Sequence, residues 1–115
     1  MSALIENLLV EQGVDFQREL TVTELDGSDI VNLAAFTNEG MVRDKYGKYI
    51  TSFTIEVTSS KTILVSLPPA ETRKLNVFKE FNYEYDVEGT SPSGIVYRFA
   101  QGKITSSAEQ TYAEV

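Results

Sequence analysis

The sequence predicts an all-β protein, an immunoglobulin-like antiparallel β-sandwich of about seven or eight strands with one short helix. Three observations point there. Short segments of alternating apolar and polar residues recur along the 115-residue chain, separated by turns rich in Gly, Asp, Ser and Pro. The aromatics are six Tyr and six Phe without Trp, side chains that suit a half-buried pleated surface. Only one stretch, around Pro68 and Pro69, has the signals of a helix.

Taken in order, residues 3–10 fit two patterns, because Leu4, Ile5, Leu8 and Leu9 would line a helical face while Leu8 and Val10 would line a strand entering the core. The segment is read as an extended arm followed by a strand. Gly13 breaks it, and Phe16, Leu20 and Val22 then alternate with Thr21 and Thr23. Arg18 interrupts that apolar face, which places it near an end or edge of a sheet. Asp26-Gly27-Ser28-Asp29 is a turn, since Asp-Gly supports positive φ, and Ile30-Val31-Asn32-Leu33 resumes a strand. Asn38-Glu39-Gly40 reads as a loop or bulge before a strand around Met41-Val42-Arg43.

Asp44-Lys45-Tyr46-Gly47-Lys48 reads as an exposed loop, after which Phe53, Ile55 and Val57 alternate with Thr54, Glu56 and Thr58. Ser59-Ser60-Lys61 turns the chain into Ile63-Leu64-Val65-Ser66-Leu67, apolar enough for a central strand. The helix spans residues 67–75: prolines suit its first turn, Glu71 its positive end, and Arg73 and Lys74 its negative end. Leu75 packs it under the sheet.

Residues 81–105 form the organising hairpin. Phe81, Tyr83, Tyr85 and Val87 share one face, and Asn82, Glu84, Asp86 and Glu88 the other. Residues 89–94 are turn chemistry throughout, and Ile95, Tyr97, Phe99 and Ile104 supply the returning apolar set. Pairing Tyr85 with Tyr97 or Phe99 keeps the aromatics together and sets Arg98 opposite Glu84 or Asp86. The chain is one domain: an N-terminal arm or first strand over 1–12, the sandwich over 13–106 and a C-terminal tail over 107–115.

Composition narrows the function. The chain has no cysteine and no histidine, which removes thiolate chemistry, Cys- or His-based metal sites and the Ser-His-Asp triad. No enzyme, cofactor or metal site is expected. A net charge of −7 argues against nucleic-acid and anionic-membrane partners. No apolar run reaches the length of a membrane span, and the first residues lack the basic start of a signal peptide.

Four clusters invite a site and read better as structure. The carboxylates Glu84, Asp86 and Glu88 sit on what should be a wet face, paired across strands, without the apolar pocket that a catalytic acid needs. Asp26 and Asp29 lack the spacing of a calcium loop. Arg43, Lys45 and Lys48 with Tyr46 and Tyr49 mimic a single-strand nucleic-acid site, but Asp44 lies among them. Ser91-Pro92-Ser93-Gly94 lacks a nucleophile-elbow frame.

Several segments carry a family resemblance. Residues 64–72, LVSLPPAET, resemble the strand and "LSxxxT" short helix of small immunoglobulin-like β-sandwich structural proteins of tailed bacteriophages, including N-terminal domains of baseplate upper proteins. Tyr83-Glu84-Tyr85-Asp86 and residues 98–105 are similar to that group's "YxYD" strand and "RxxxGxxxVT" closing strand. Gln12-Gly13-Val14-Asp15-Phe16, Asp26-Gly27, Val31-Asn32-Leu33 and Val42-Arg43 resemble its "QGxDF", "DG", "VDL" and "IR" positions. Gln110-Thr111 departs from the usual "VT".

The resemblance implies a virion structural protein of a phage tail, baseplate or neck, or an adaptor for fibres, assembled in the host cytoplasm and partnered by other virion proteins and by copies of itself. It transfers no catalytic residue. The expected assembly contacts are Leu4, Ile5, Leu8 and Leu9 in the arm and Tyr112 in the tail, apolar residues for which a lone domain has little use. For the inner part of the arm, completion of the core is an equal reading. A carbohydrate-binding host-recognition module using Tyr46 and Tyr49 is the alternative from another class.

Overall fold

The computed structural model describes residues 4–22, 33–75 and 83–107. Within them the chain forms β1 (Leu4–Ile5), β2 (Leu8–Glu11), β3 (Phe16–Thr21), a short 3-10 helix (Leu33–Ala35), β4 (Thr37–Arg43), β5 (Tyr49–Ser52), β6 (Thr54–Val57), β7 (Thr62–Leu67), α1 (Pro69–Thr72), β8 (Tyr83–Thr90) and β9 (Val96–Ser107). The large sheet runs β1-β9-β8-β4-β5, with β2 continuing β1 along β9, and the small sheet runs β3-β7-β6. From β3 onwards these are the B, E and D positions of one immunoglobulin sheet and the C′, C, F and G positions of the other. The expected immunoglobulin-like sandwich is present, and β7 is central in its sheet.

Alternation explains which side chains meet between the sheets. Ile63, Val65 and Leu67 of β7 and Leu20 of β3 face Val42, Tyr83, Tyr85, Val87 and Ile104 of the large sheet, all buried. Phe53, where the chain crosses from one sheet to the other, meets the Tyr85 ring edge-on at 5.8 Å and 89°. The segment read as an arm or first strand is the first strand: Leu8 and Val10 are in the core. It pairs with β9 in parallel, Leu8 with Ile104 and Glu11 with Ser107, the one parallel ladder among the described residues.

Four expectations are corrected. The hairpin register sets Tyr85 opposite Gly102, not Tyr97 or Phe99, because Gly89 and Thr90 continue β8 and shorten the turn to Ser91–Ile95. A bulge inserts Phe99, so that Arg98 stands opposite Glu88 and the adjacent Phe99 and Ala100 are both buried. Asn38, Glu39 and Gly40 lie inside β4; Gly40 serves there because the Phe53 ring packs 3.0 Å from where a Cβ would stand. Leu33 opens a 3-10 turn instead of ending a strand.

The helix is the fourth, four residues long instead of nine, with Pro68 as its N-cap and Leu75 fully buried beyond it. Phe81, Asn82, Thr23, the Asp26-Gly27 turn, the strand start at residues 30–32 and the tail beyond Ser107 lie outside the described residues.

Candidate functional site

The outer face of the large sheet is a lattice of charge built by alternation. One row across the strands reads Glu39, Glu88, Arg98; the next Met41, Asp86, Gln101; the next Arg43, Glu84, Lys103. Asp86 accepts from Arg43 Nη1 at 3.0 Å and lies 3.9 Å from Arg98 Nη2, which in turn is 3.4 Å from Glu88. Asp86 and Glu88 of the carboxylate row are therefore paired across strands on a wet face, each exposed pair worth about 0–1 kcal/mol. Among the described residues no three His, Cys, Asp or Glu side chains come together as metal ligands.

An open cleft of ≈ 470 Å³ lies where this lattice meets the N-terminal strand, with Ile5, Asn7, Gln101 and Lys103 at its rim. Tyr85 and Gly102, which are among its lining residues, belong to a tight lock. A Cβ on Gly102 would fall on the carbonyl oxygen of Glu6, so only glycine lets the β1–β2 link cross there. That carbonyl accepts the Tyr85 phenol at 2.6 Å, the Glu6 N–H donates to the Gln101 carbonyl at 3.1 Å, and Asn7 Oδ1 accepts the Lys103 N–H at 3.0 Å. Glu6 also reaches across to the small sheet, with Oε1 2.8 Å from Arg18 Nη2. Arg18 thus interrupts its apolar face at an edge strand, as its sequence position suggested. Burial, reinforced by the Glu6 charge and offset by Arg18, pushes the Tyr85 phenol up to about 12.

A second lock joins two segments far apart in sequence. Thr72, fully buried, accepts the Gly13 N–H at 3.0 Å and donates to the Val14 carbonyl, 3.2 Å away. The Leu75 carbonyl accepts from Gln12 Nε2 at 3.0 Å and Ser106 Oγ at 3.3 Å. The "QGxDF" and "LSxxxT" segments therefore form a single corner. Beside it, the Thr51 hydroxyl at 2.6 Å and then Lys74 hold the Glu71 carboxyl below its ordinary pKa.

The expected contact residues separate. Ile5 and Leu9 are 72% and 68% exposed, whereas Leu8 at 3% is a core residue and leaves the contact set. Leu4 pairs through its backbone with Ala100, and Tyr112 lies outside the described residues. Tyr46 and Tyr49 are exposed at the β4–β5 turn, which Asp44 closes by accepting the N–H groups of Tyr46 and Lys48 at 2.8 and 2.9 Å. The Tyr85, Glu6, Asn7 and Gly102 lock was not foreseen, although a glycine inside an alternating strand and an asparagine inside an apolar one were its visible signals. No protein-family model matches the chain, and no curated protein gives a significant match.

Proposed function

We propose that the protein is a non-enzymatic virion structural protein of a tailed phage, a tail, baseplate or neck component or a fibre adaptor, acting through protein–protein contacts. The observation that carries the contact role is the pair Ile5 and Leu9, large apolar side chains standing in solvent on an outermost strand. The phage setting rests on the resemblance of the segments quoted above. Tailed virions produced from a genome encoding the chain, purified and analysed by quantitative mass spectrometry, should contain it at a fixed copy number per particle. Its absence from intact particles would overturn a permanent virion role.

A carbohydrate-binding role is favoured by one observation, the exposure of Tyr46 in the β4–β5 turn and of Tyr49 at the start of β5. Against it, Lys45 Nζ lies 5.3 Å from the Tyr46 ring centre and occupies a face on which a sugar would stack. A glycan array separates the two readings.

A further inference from the structure

We propose that the edge of β1–β2, unpaired among the described residues, is a two-fold interface that joins two copies of this chain, strand to strand, into one continuous sheet. The proposal rests on the contact reading above and names its partner. Four edges bound the two sheets among the described residues: β1–β2, β5, β3 and β6. Three of them carry protection against strand addition. β5 and β6 are four residues each, half the eight-residue run of β1, its link and β2; β5 has a register shift at Val42/Arg43, and β3 presents Gln17, Arg18 and Glu19 to solvent in succession. The stretch from Leu4 to Glu11 holds no Pro, Lys or Arg. In its parallel ladder the N–H groups of Glu6 and Gln12 turn towards β9, which leaves those of the odd-numbered residues facing away from it.

Charge and register select a second copy as the occupant. Glu6, the acid nearest the middle of the edge, is turned inward onto Arg18. In an antiparallel pairing centred on Asn7, Ile5 of each copy opposes Leu9 of the other, and Asn7 opposes Asn7. Two apolar pairs form and no carboxylate faces another. The next residues inward, Gln101 beside Ile5 and Thr105 beside Leu9, are uncharged. The Lys103 pair flanking the axis is separated by three strand spacings, about 14 Å, beyond the screening length of roughly 10 Å at ordinary salt. A centre at Leu8 would set Ile5 against Glu11, and one at Leu9 would set Asn7 against Glu11. Because each copy carries a net charge of −7, association should strengthen with ionic strength.

The chain has no cysteine, so cross-linking reads the register directly. Ile5→Cys and Leu9→Cys, mixed under mild oxidation, should give a covalent dimer at least tenfold more abundant than either variant alone. Opposed residues lie about 5.5 Å apart, within disulfide reach, whereas Leu9 and its own copy are four residues out of register. Both side chains are exposed, so both variants should melt with the wild type. Light scattering of the unmodified chain should show a concentration-dependent dimer, with Leu9→Lys raising its Kd at least tenfold. A wild-type monomer at every concentration and salt, or equal cross-linking of mixed and single variants, would overturn the two-fold edge. Those results would leave a contact with a different virion protein standing, whereas absence from virions would remove the virion role and leave the dimer.

Discussion

The two sides of the N-terminal strand are made of the same kind of residue and end in opposite surroundings. Leu8 and Val10 pack against the core with Ile104, while Ile5 and Leu9, one position out of phase, stand in solvent. Between them the Glu6–Asn7 link is held by Tyr85, Gln101, Lys103 and Arg18. The inner side is over-determined, and the outer side is held by nothing among the described residues. Stability and association can therefore be altered separately in a strand of only a few residues.

Substitution of adjacent leucines is the sharpest way to break that contrast. Leu8→Ala should destabilise the fold by about 3 kcal/mol, the usual cost of an emptied core position, and Leu9→Ala by less than about 0.5 kcal/mol. Denaturant unfolding of the pair measures both. Equal losses would mean that the outer side is packed as firmly as the inner and would end the comparison. Next in size is Gly102→Ala, expected to cost about 2 kcal/mol, because the added Cβ meets backbone, the Glu6 carbonyl, instead of a side chain that could swing away. Hydrogen exchange should then show faster exchange at the Glu6 and Lys103 amides, with the β3–β7 ladder unchanged. Uniform acceleration across both sheets would show that the lock is not local.

What could be read beforehand was phase within a strand. The alternation at Tyr83, Tyr85 and Val87, and at Ile63, Val65 and Leu67, predicts the buried faces correctly, since a period of two leaves little choice once one face is apolar. Pairing was harder, because it depends on residues that look like turns. Gly40 and Gly89 are strand residues that make room for Phe53 and Phe99, and neither ring is near them in sequence. The bulge at Phe99 then shifts the hairpin away from any register that alternation alone would choose. At the candidate site, Leu8 and Leu9 are chemically alike. Which of them faces the core is decided by pairing with Ile104 and Thr105 at the far end of the chain.

The smallest effect is the most specific. Tyr85→Phe keeps the ring against Phe53 but leaves the Glu6 carbonyl without its donor, a loss of about 1 kcal/mol at neutral pH. The phenol is raised in the fold from near 10 to about 12, first by burial and then by the Glu6 charge. Its neutral form is therefore the one the fold favours, and the stability it contributes is complete below pH 10 and disappears as pH rises towards about 12. Thermal melting across that interval should show wild type losing its advantage over Tyr85→Phe. A constant difference would mean that the phenol titrates in the fold as it does in the unfolded chain. Ile5 and Leu9 take no part in this equilibrium, so cross-linking of the Cys variants, measured at neutral pH, should be unchanged when Tyr85→Phe is added. A loss of cross-linking would show that the inner lock positions the outer edge, coupling the two sides that the fold keeps apart.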